Sequence, residues 1–243
     1  MVPAVSISGS LPDPPLLVEL FTSQGCSSCP PAEGLLNGWG MELFRAGKVL
    51  PLSFHVDYWD YLGWKDPFSS PLFTERQGQY AGSLGSSSLY TPEMVVSRRV
   101  GFVGSDAGRA RQEIESPDNP KASVRVALGA SPQADGIALK IRLEPTAASK
   151  TKGPWKIMVA VFENHLMTHV ERGENKGRDL EENFVVRELA EIKNVTLEKT
   201  EWMNATIPIQ SDWQKPFTGI AVFLEDESTM KIGGVNWVYP ISP

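Results

Sequence analysis

The chain contains two cysteines, and they stand two residues apart, as Cys26 and Cys29. An apolar run at residues 16–21 precedes the pair, and Pro30, Pro31 and a helical pattern follow it. A strand, a tight turn and a helix start form the setting in which a Cys-x-x-Cys pair carries out thiol–disulfide exchange. The spacing and its context therefore indicate redox chemistry.

The position of each cysteine suggests a role. A cysteine at a helix N-terminus faces unpaired backbone N–H groups and the positive end of the helix dipole, which favour the thiolate. We therefore predict that Cys26 is the attacking thiolate. Cys29, one turn further along, is predicted to attack the mixed disulfide and release the substrate. Glu19 lies on the preceding strand, where a buried carboxylate would accept the proton of Cys29.

Three other segments are predicted to lie at the site. Thr91 and Pro92 open a later strand, and a cis bond between them would leave the backbone of Thr91 free to pair with an extended substrate. His55 and Asp57 close another strand, and residues two apart on a strand point the same way. They are predicted to form a hydrogen-bonded pair near the site, with a purely structural histidine as the alternative. Trp59 is predicted to pack in its aromatic loop or to line a substrate groove.

Strands and helices alternate around these residues. The apolar runs at residues 16–21 and 49–56 are typical of parallel strands, and the helical pattern at residues 32–47 would join them in a right-handed βαβ unit. Further along, the pattern predicts a helix at residues 70–81, strands at 90–96 and 99–102, and a helix at 105–115. The resulting order, β-α-β-α-β-β-α, is that of the thioredoxin fold.

The pattern changes after a cluster of chain breakers at residues 116–120, which predicts a domain boundary. Beyond it, short segments alternate apolar with polar residues, as in a β-sandwich. We predict a tail over residues 1–13, a thioredoxin-like α/β domain over residues 14–118 and an all-β sandwich-like domain over residues 119–243.

One stretch of the second predicted domain, residues 173–187, resembles a site. It is rich in Gly, Asn and Arg, and Arg178 and Arg187 are candidate partners for an anion or a carboxylate. The alternative is a hairpin whose arginines brace Glu174 or the domain interface.

Composition excludes several classes of partner. The net charge is −6, whereas nucleic acids and anionic membranes attract basic patches. No apolar stretch reaches the roughly 20 residues that span a bilayer, so we predict no membrane span. The N-terminus lacks the charged and apolar regions of a signal peptide, which predicts a cytoplasmic protein as written, or a periplasmic or secreted one if the chain is a processed form.

The same two cysteines fit three functions. A thiol–disulfide oxidoreductase would exchange with protein or small-molecule thiols and disulfides, and it would need no cofactor beyond its own disulfide. A binding module would hold Cu(I), another soft metal or a metalloid with Cys26, Cys29 and His55, because thiolates are soft ligands. A non-catalytic protein would use the pair as a structural disulfide.

Several longer motifs occur in order along the chain, at residues 18–33, 54–68, 76–80, 90–92, 173–178 and 183–187. Together they resemble the thioredoxin-like proteins grouped as domain of unknown function 1223, often labelled secreted-protein-like. The resemblance covers nearly the whole chain and implies a thioredoxin-like domain followed by an all-β domain. It implies little about the substrate. Bacterial members usually look exported, whereas this sequence shows no signal.

Overall fold

The computed structural model describes residues 15–133, 136–149, 154–197 and 201–241. The predicted N-terminal tail lies outside these residues. Within them the chain is a mixed α/β protein with an eight-stranded mixed sheet, a three-stranded antiparallel sheet and a two-stranded one. No helix of the described ranges has both the length and the apolar character needed to cross a membrane.

The chain forms thirteen strands and four α-helices within the described ranges. The strands are β1 (Leu16–Thr22), β2 (Val49–His55), β3 (Glu93–Val96), β4 (Val100–Val103), β5 (Val124–Gln133), β6 (Gly136–Pro145), β7 (Trp155–Glu163), β8 (Leu166–His169), β9 (Asp179–Glu182), β10 (Val185–Val195), β11 (Met203–Ile207), β12 (Thr218–Asp226) and β13 (Ile232–Val238). The helices are α1 (Pro30–Leu35), α2 (Met41–Arg45), α3 (Pro71–Leu84) and α4 (Ala107–Ile114), with a π-helical turn at Leu36–Gly40 and 3₁₀ turns at Asp60–Leu62 and Lys215–Phe217.

The chain divides into two compact units. The first, here the cysteine unit, comprises Leu16–Pro120 and Phe162–Arg187, and the second, here the β unit, draws on Lys121–Val161 and Glu188–Pro243. The chain passes from one unit to the other near residue 120, and again within β7 and β10. Residues 162–187 belong to the cysteine unit.

Four strands form the frame of the cysteine unit, in the order β2-β1-β3-β4. β1 runs parallel to β2 along its whole length, from Leu16 opposite Val49 to Thr22 opposite His55, which confirms the predicted parallel pair. β3 runs antiparallel to both β1 and β4. The first residues of β10 add a parallel neighbour to β2, with Val185 opposite Ser53.

Both faces of β1 are buried, as its unbroken apolar run requires. On one face Val18 packs with Leu35 and Leu36 of the first helical segment. On the other, the Phe21 ring lies edge-on to the Tyr80 ring of α3, with centroids 5.8 Å apart. Successive side chains of a strand point to opposite faces, so even-numbered residues of β1 face α1 and odd-numbered residues face α3.

The β unit has its own apolar core. Its strands follow the orders β13-β12-β7-β10 and β11-β6-β5. Alternate residues of β6 are buried, and they join side chains of β5, β7 and β12 in one cluster. Period-two burial of this kind is what an antiparallel sheet with one covered face produces.

Candidate functional site

The cysteine pair lies in the turn between β1 and α1. The sulfur atoms of Cys26 and Cys29 lie at disulfide distance, and their Cα atoms are 5.5 Å apart. The backbone N–H of Cys29 donates to the carbonyl oxygen of Cys26 at 3.2 Å, which closes the turn. Both cysteines are only 1% exposed, so the pair is covered by other parts of the chain.

Thr91, which was predicted to lie at the site, is next to Cys26. The carbonyl oxygen of Thr91 is 3.8 Å from the sulfur atom of Cys26, and the Ser28 hydroxyl is 3.2 Å from it. The peptide bond between Thr91 and Pro92 is cis, as predicted. The indole N–H of Trp59 donates to the Thr91 hydroxyl at 2.7 Å. The structure therefore brings Thr91, Pro92 and Trp59 together at one side of the pair.

The turn at residues 173–177, here the cover segment, binds the main chain of the cysteine turn. The buried side-chain amide of Asn175 donates to the carbonyl oxygen of Cys26 at 2.9 Å. The carboxylate of Glu174 accepts a hydrogen bond from the backbone N–H of Ser27 at 3.0 Å. Hydrogen bonds from the hydroxyl and backbone of Ser27 lower the pKa of Glu174. The cover segment is the part of residues 173–187 that reaches the cysteine turn.

The two arginines predicted as anion partners lie elsewhere in this stretch. Arg187 pairs with the buried carboxylate of Glu163, and its guanidinium carbon lies 5.2 Å from the centroid of the Phe68 ring. Arg178 follows the cover segment, and its backbone N–H donates to the carbonyl oxygen of Asn175. Arg187 thus neutralises a carboxylate of the chain itself, whereas Glu174 is bound by the cysteine turn.

Glu19 is fully buried, as predicted, but it has a different partner. Its carboxylate accepts a hydrogen bond from the guanidinium Nε of Arg76 at 2.7 Å and another from the Tyr80 hydroxyl. Both partners belong to α3. Val18 and Thr22 of the same strand face α1, so alternation turns Glu19 away from the helix that carries the cysteines. The structure therefore does not bring Glu19 to the sulfur pair.

The predicted pair of His55 and Asp57 is wrong. The imidazole Nδ1 of His55 lies 2.7 Å from a carboxylate oxygen of Asp66, whereas Asp57 accepts a hydrogen bond from the Thr74 hydroxyl at 2.6 Å. The physical reason is that β2 ends at His55. Beyond that residue the alternation of strand side chains no longer applies, and Asp57 turns towards α3.

His55 instead belongs to a cluster with two glutamates. One donor atom each from Glu33, His55 and Glu182 lies within 4.8 Å of the other two, and all three side chains are buried. The imidazole Nε2 of His55 is 3.9 Å from a carboxylate oxygen of Glu182. The predicted soft-metal set of Cys26, Cys29 and His55 does not form such a group among the described residues. We call Glu33, His55 and Glu182 the buried triad.

The environment of the buried triad shifts the pKa of each member. Burial raises the pKa of Glu33 and raises the pKa of Glu182 to about 8. Burial opposes the charge of His55, but the carboxylates of Asp66 and Glu182 outweigh it and raise the pKa of His55 to about 10. Burial also opposes the charge of Asp66, yet its contact with His55 lowers the pKa of Asp66. His55 and Asp66 therefore form a buried ion pair.

A cleft of about 190 Å³ adjoins the buried triad. Glu33 and Glu182 line it together with Thr22 and Cys29. The cleft thus connects the triad with the second cysteine of the pair, and it lies wholly within the cysteine unit.

Gln24 connects the cysteine turn with the carboxylates. Its side-chain amide donates to Glu182 at 2.7 Å and to the Thr168 hydroxyl at 3.0 Å, and its amide oxygen accepts from the Trp64 indole. Its backbone N–H donates to Asp66 at 2.8 Å. A single residue of the turn therefore fixes the positions of two buried acidic groups.

Comparison with known proteins gives the family. The model of a family described as "Protein of unknown function (DUF1223)" matches residues 17–225. The chain belongs to the DUF1223 family. No protein of curated function matches this DUF1223 chain.

Two solved structures resemble the DUF1223 chain over most of its length. Protein AGR_C_4864 from Agrobacterium tumefaciens is 25% identical, with a TM-score of 0.71 over 96% of this chain and 98% of its own. HBP35 of Porphyromonas gingivalis is 13% identical, with a TM-score of 0.69 over 93% of this chain and 75% of its own. The second likeness shows the fold alone.

Sequence reasoning missed most of the acidic groups at this DUF1223 site. Glu33 follows Cys29 by four residues in a helical segment, and residues four apart share a helix face. That spacing was the available signal for Glu33. Asp66 and Glu182 come from a loop and from a distant hairpin strand, so no local spacing pointed to them.

Proposed function

We propose that this protein is a thiol–disulfide oxidoreductase of thioredoxin-like fold that uses Cys26 and Cys29 as its exchanging pair. The observation that carries the proposal is the placement of the two sulfur atoms at disulfide distance, in the turn between β1 and α1 and beside the Thr91 carbonyl oxygen. An inert disulfide needs no such setting, whereas exchange needs a helix start and a neighbouring backbone for the substrate.

The order of elements supports the thioredoxin-like fold. A parallel pair, β1 and β2, is joined through α1 and α2, and α3 leads to the antiparallel pair β3 and β4 before α4. The β unit, with two groups of antiparallel strands around one apolar cluster, fits the sandwich-like half of the proposal.

The proposed reaction transfers two electrons between sulfur atoms. In the reducing direction, the thiolate of Cys26 attacks a substrate disulfide, forms a mixed disulfide and releases one substrate thiolate. The thiolate of Cys29 then attacks the sulfur of Cys26 and releases the second substrate thiolate. The substrate disulfide is reduced, the Cys26–Cys29 pair is oxidised, and the opposite direction reverses each step.

Thr91, Pro92 and Trp59 form the side of the site on which we propose that the substrate lies. The proposal assigns no proton transfer to Glu19, because Arg76 and Tyr80 occupy its carboxylate. Both cysteines are buried, so a substrate reaches the sulfur atoms only when the residues around them move.

A glutathione redox titration tests the proposal, with thiol alkylation and mass spectrometry as the readout. The expected result is one reversible two-electron transition within the range of about −270 to −120 mV that thioredoxin relatives span. If the pair stays oxidised at the most reducing glutathione ratio, it is a structural disulfide. Thiols that become reactive only after a chelator is added would support soft-metal binding instead.

Two serine variants form a matched pair that tests the assigned roles. Cys29→Ser keeps the attacking thiol, so it is expected to accumulate one glutathione adduct per chain on incubation with oxidised glutathione. Cys26→Ser is expected to form much less adduct, because the proposed role of Cys29 is to attack the mixed disulfide on Cys26 and not an external disulfide. Equal adduct formation by the two variants would remove the distinction between attacking and resolving cysteine.

A further inference from the structure

Polar atoms without partners gather at the buried triad. Both carboxylate oxygens of Glu33 and the Nε2 atom of His55 are buried and have no hydrogen-bond partner in the described part of the chain. The buried hydroxyl groups of Thr22 and Ser53 face the Glu33 carboxyl group and lower its pKa, but neither makes a hydrogen bond of ordinary geometry. A buried polar group without a partner is destabilising, because it has lost its hydrogen bonds to water without gaining others. Five such atoms at one place therefore indicate that the site holds an occupant.

The charges at this place call for a cation. The carboxyl groups of Glu33, Asp66 and Glu182 surround the single imidazole of His55. Among the described residues, no lysine or arginine forms an ion pair with the triad, and the one cationic partner is His55 itself. Buried carboxylates are normally paired with cations or coordinate metals. An anion or a neutral apolar ligand would leave this excess of acidic groups unbalanced.

The spacing of the donor atoms suits one metal ion. Ligand atoms about 2.0–2.2 Å from a zinc ion lie roughly 3–4 Å from one another. The Nε2 atom of His55 is 3.9 Å from the nearest Glu182 oxygen, and all three donor atoms lie within 4.8 Å of one another. A small movement of the side chains is enough to bring them around an ion.

The groups behind the ligands are already arranged for coordination. Asp66 holds the Nδ1 side of His55 at 2.7 Å, which leaves Nε2 directed at the two glutamates. A carboxylate behind a histidine ligand fixes the orientation of the ring and raises its basicity. Gln24 donates to Glu182 at 2.7 Å and fixes the second carboxylate in the same way.

We propose that Glu33, His55 and Glu182 bind one divalent transition-metal ion such as Zn²⁺. Three nitrogen and oxygen ligands match a zinc site with an open fourth position. The donor set lacks the thiolates that Cu(I) selects and the six to eight oxygen ligands that Ca²⁺ takes. Glu33 and Glu182 line the same cleft as Cys29, so the ion would lie near the cysteine pair without being held by it.

Zinc titration of the oxidised, full-length chain tests this site. The protein is first stripped with a chelator and dialysed, and Zn²⁺ is then added in a calorimeter. We expect saturable binding of one ion per chain while alkylation shows no free thiol, since the cysteines are disulfide-bonded and cannot act as thiolates. Absence of saturable binding by the oxidised chain would overturn the proposal. The result does not depend on whether the pair exchanges with substrates.

Three variants distinguish coordination from a general attraction of cations to acidic residues. Glu33→Gln and Glu182→Gln keep the side-chain shape but remove a charged ligand, and each is expected to weaken zinc binding on the order of 100-fold. Glu181→Gln, at the exposed neighbour of Glu182, is the matched control and is expected to bind like the wild type. Unchanged affinity in the first two variants, or an equal loss in all three, would overturn the proposal.

Cobalt substitution reports the ligand type independently of these variants. The oxidised chain loaded with Co²⁺ is expected to show the visible absorption of a four- or five-coordinate ion without a sulfur-to-cobalt charge-transfer band. The same spectrum should be lost from Glu33→Gln that retains native circular dichroism. A strong sulfur band would show that the cysteines hold the metal, and it would contradict the assigned ligands.

Discussion

Two groups of buried acidic side chains flank the same pair of parallel strands, and their surroundings differ. On the α3 side, the carboxylate of Glu19 accepts hydrogen bonds from Arg76 and Tyr80, and the positive charge of Arg76 balances its negative charge. On the α1 side, Glu33 has no hydrogen-bond partner for either oxygen, and its neighbours in the buried triad are His55 and the acidic Glu182. Both sites are buried, but only at Glu19 is the carboxylate balanced by an arginine. We refer to the Glu19 site as the matched site and to the Glu33 site as the unmatched site.

The difference between the two sites provides a criterion for distinguishing a buried charge with a structural role from one with a functional role. A buried carboxylate costs several kcal/mol unless it is paired and hydrogen-bonded. The chain meets that requirement at Glu19 and leaves it unmet at Glu33. A buried charge that is fully matched needs no further occupant, whereas an unmatched one indicates a bound ion or a proton that the site must hold.

The largest expected effect comes from breaking the matched site. Arg76→Met removes the cation and leaves Glu19 buried without its partner, which should lower the free energy of unfolding by about 3–5 kcal/mol. Chemical denaturation of the oxidised chain measures this change. Arg109→Met is the matched control, since Arg109 is 43% exposed and Arg99 also contacts its partner Glu113, so about 0–1 kcal/mol is expected. Equal losses in the two variants would contradict the comparison.

The second expected effect is a pH dependence of the free energy of unfolding, which arises from Glu182 and His55 at the unmatched site. In the zinc-free native chain Glu182 keeps its proton up to a pKa of about 8, against 4.5 when unfolded, and His55 keeps its proton up to about 10, against 6.5. The native state therefore binds more protons than the unfolded state between these values. The free energy of unfolding is therefore higher at lower pH. It falls as pH rises, by on the order of 1 kcal/mol per pH unit for each proton that the native state retains.

Denaturant midpoints at pH 6, 7 and 8 measure this dependence, with a chelator present. The midpoint should fall steadily from pH 6 to pH 8, and Glu182→Gln should reduce the slope because it removes one of the two protons. Added zinc should reduce the slope of the wild type as well, since the metal replaces the protons. A midpoint that rises with pH in the zinc-free wild type would contradict the assigned protonation.

The smallest effect should come from neutralising the unmatched glutamate itself. Glu33→Gln resembles the protonated carboxyl group that burial favours, so the zinc-free chain should change in stability by less than about 1 kcal/mol. The same substitution at Glu19 leaves Arg76 buried without its carboxylate, and it should cost several times more. Thermal unfolding of the two variants in chelator, compared side by side, decides whether the two sites differ as described.

The parts of the fold that sequence could predict are those set by neighbouring residues. The apolar runs of β1 and β2, the two prolines after Cys29 and the spacing of the cysteines are local patterns, and each predicts its element without knowledge of the rest of the chain. The cis bond before Pro92 was predicted from its place at the start of a strand. The predicted domain boundary near residue 118 rests on a cluster of chain breakers and stays a prediction.

The contacts of the site are of a different kind, because they join residues far apart in sequence. Arg76 lies 57 residues from Glu19, and the hydrogen bond between Gln24 and Glu182 spans 158 residues. The expected pair of His55 and Asp57 failed because β2 ends at His55, and the imidazole contacts Asp66 of the following loop instead. Local periodicity carries no information about such partners.

The sequence by itself determined that a Cys-x-x-Cys pair follows a buried strand and precedes a helix, since strand, turn and helix start are encoded within some twenty consecutive residues. Only the tertiary structure decided what surrounds that pair. Residues 162–187 return to the cysteine unit and bring Glu174, Asn175 and Glu182 to the turn. The physical reason is that burial and hydrogen bonding of a polar group depend on whichever segments pack against it, and the topology of the chain sets that packing.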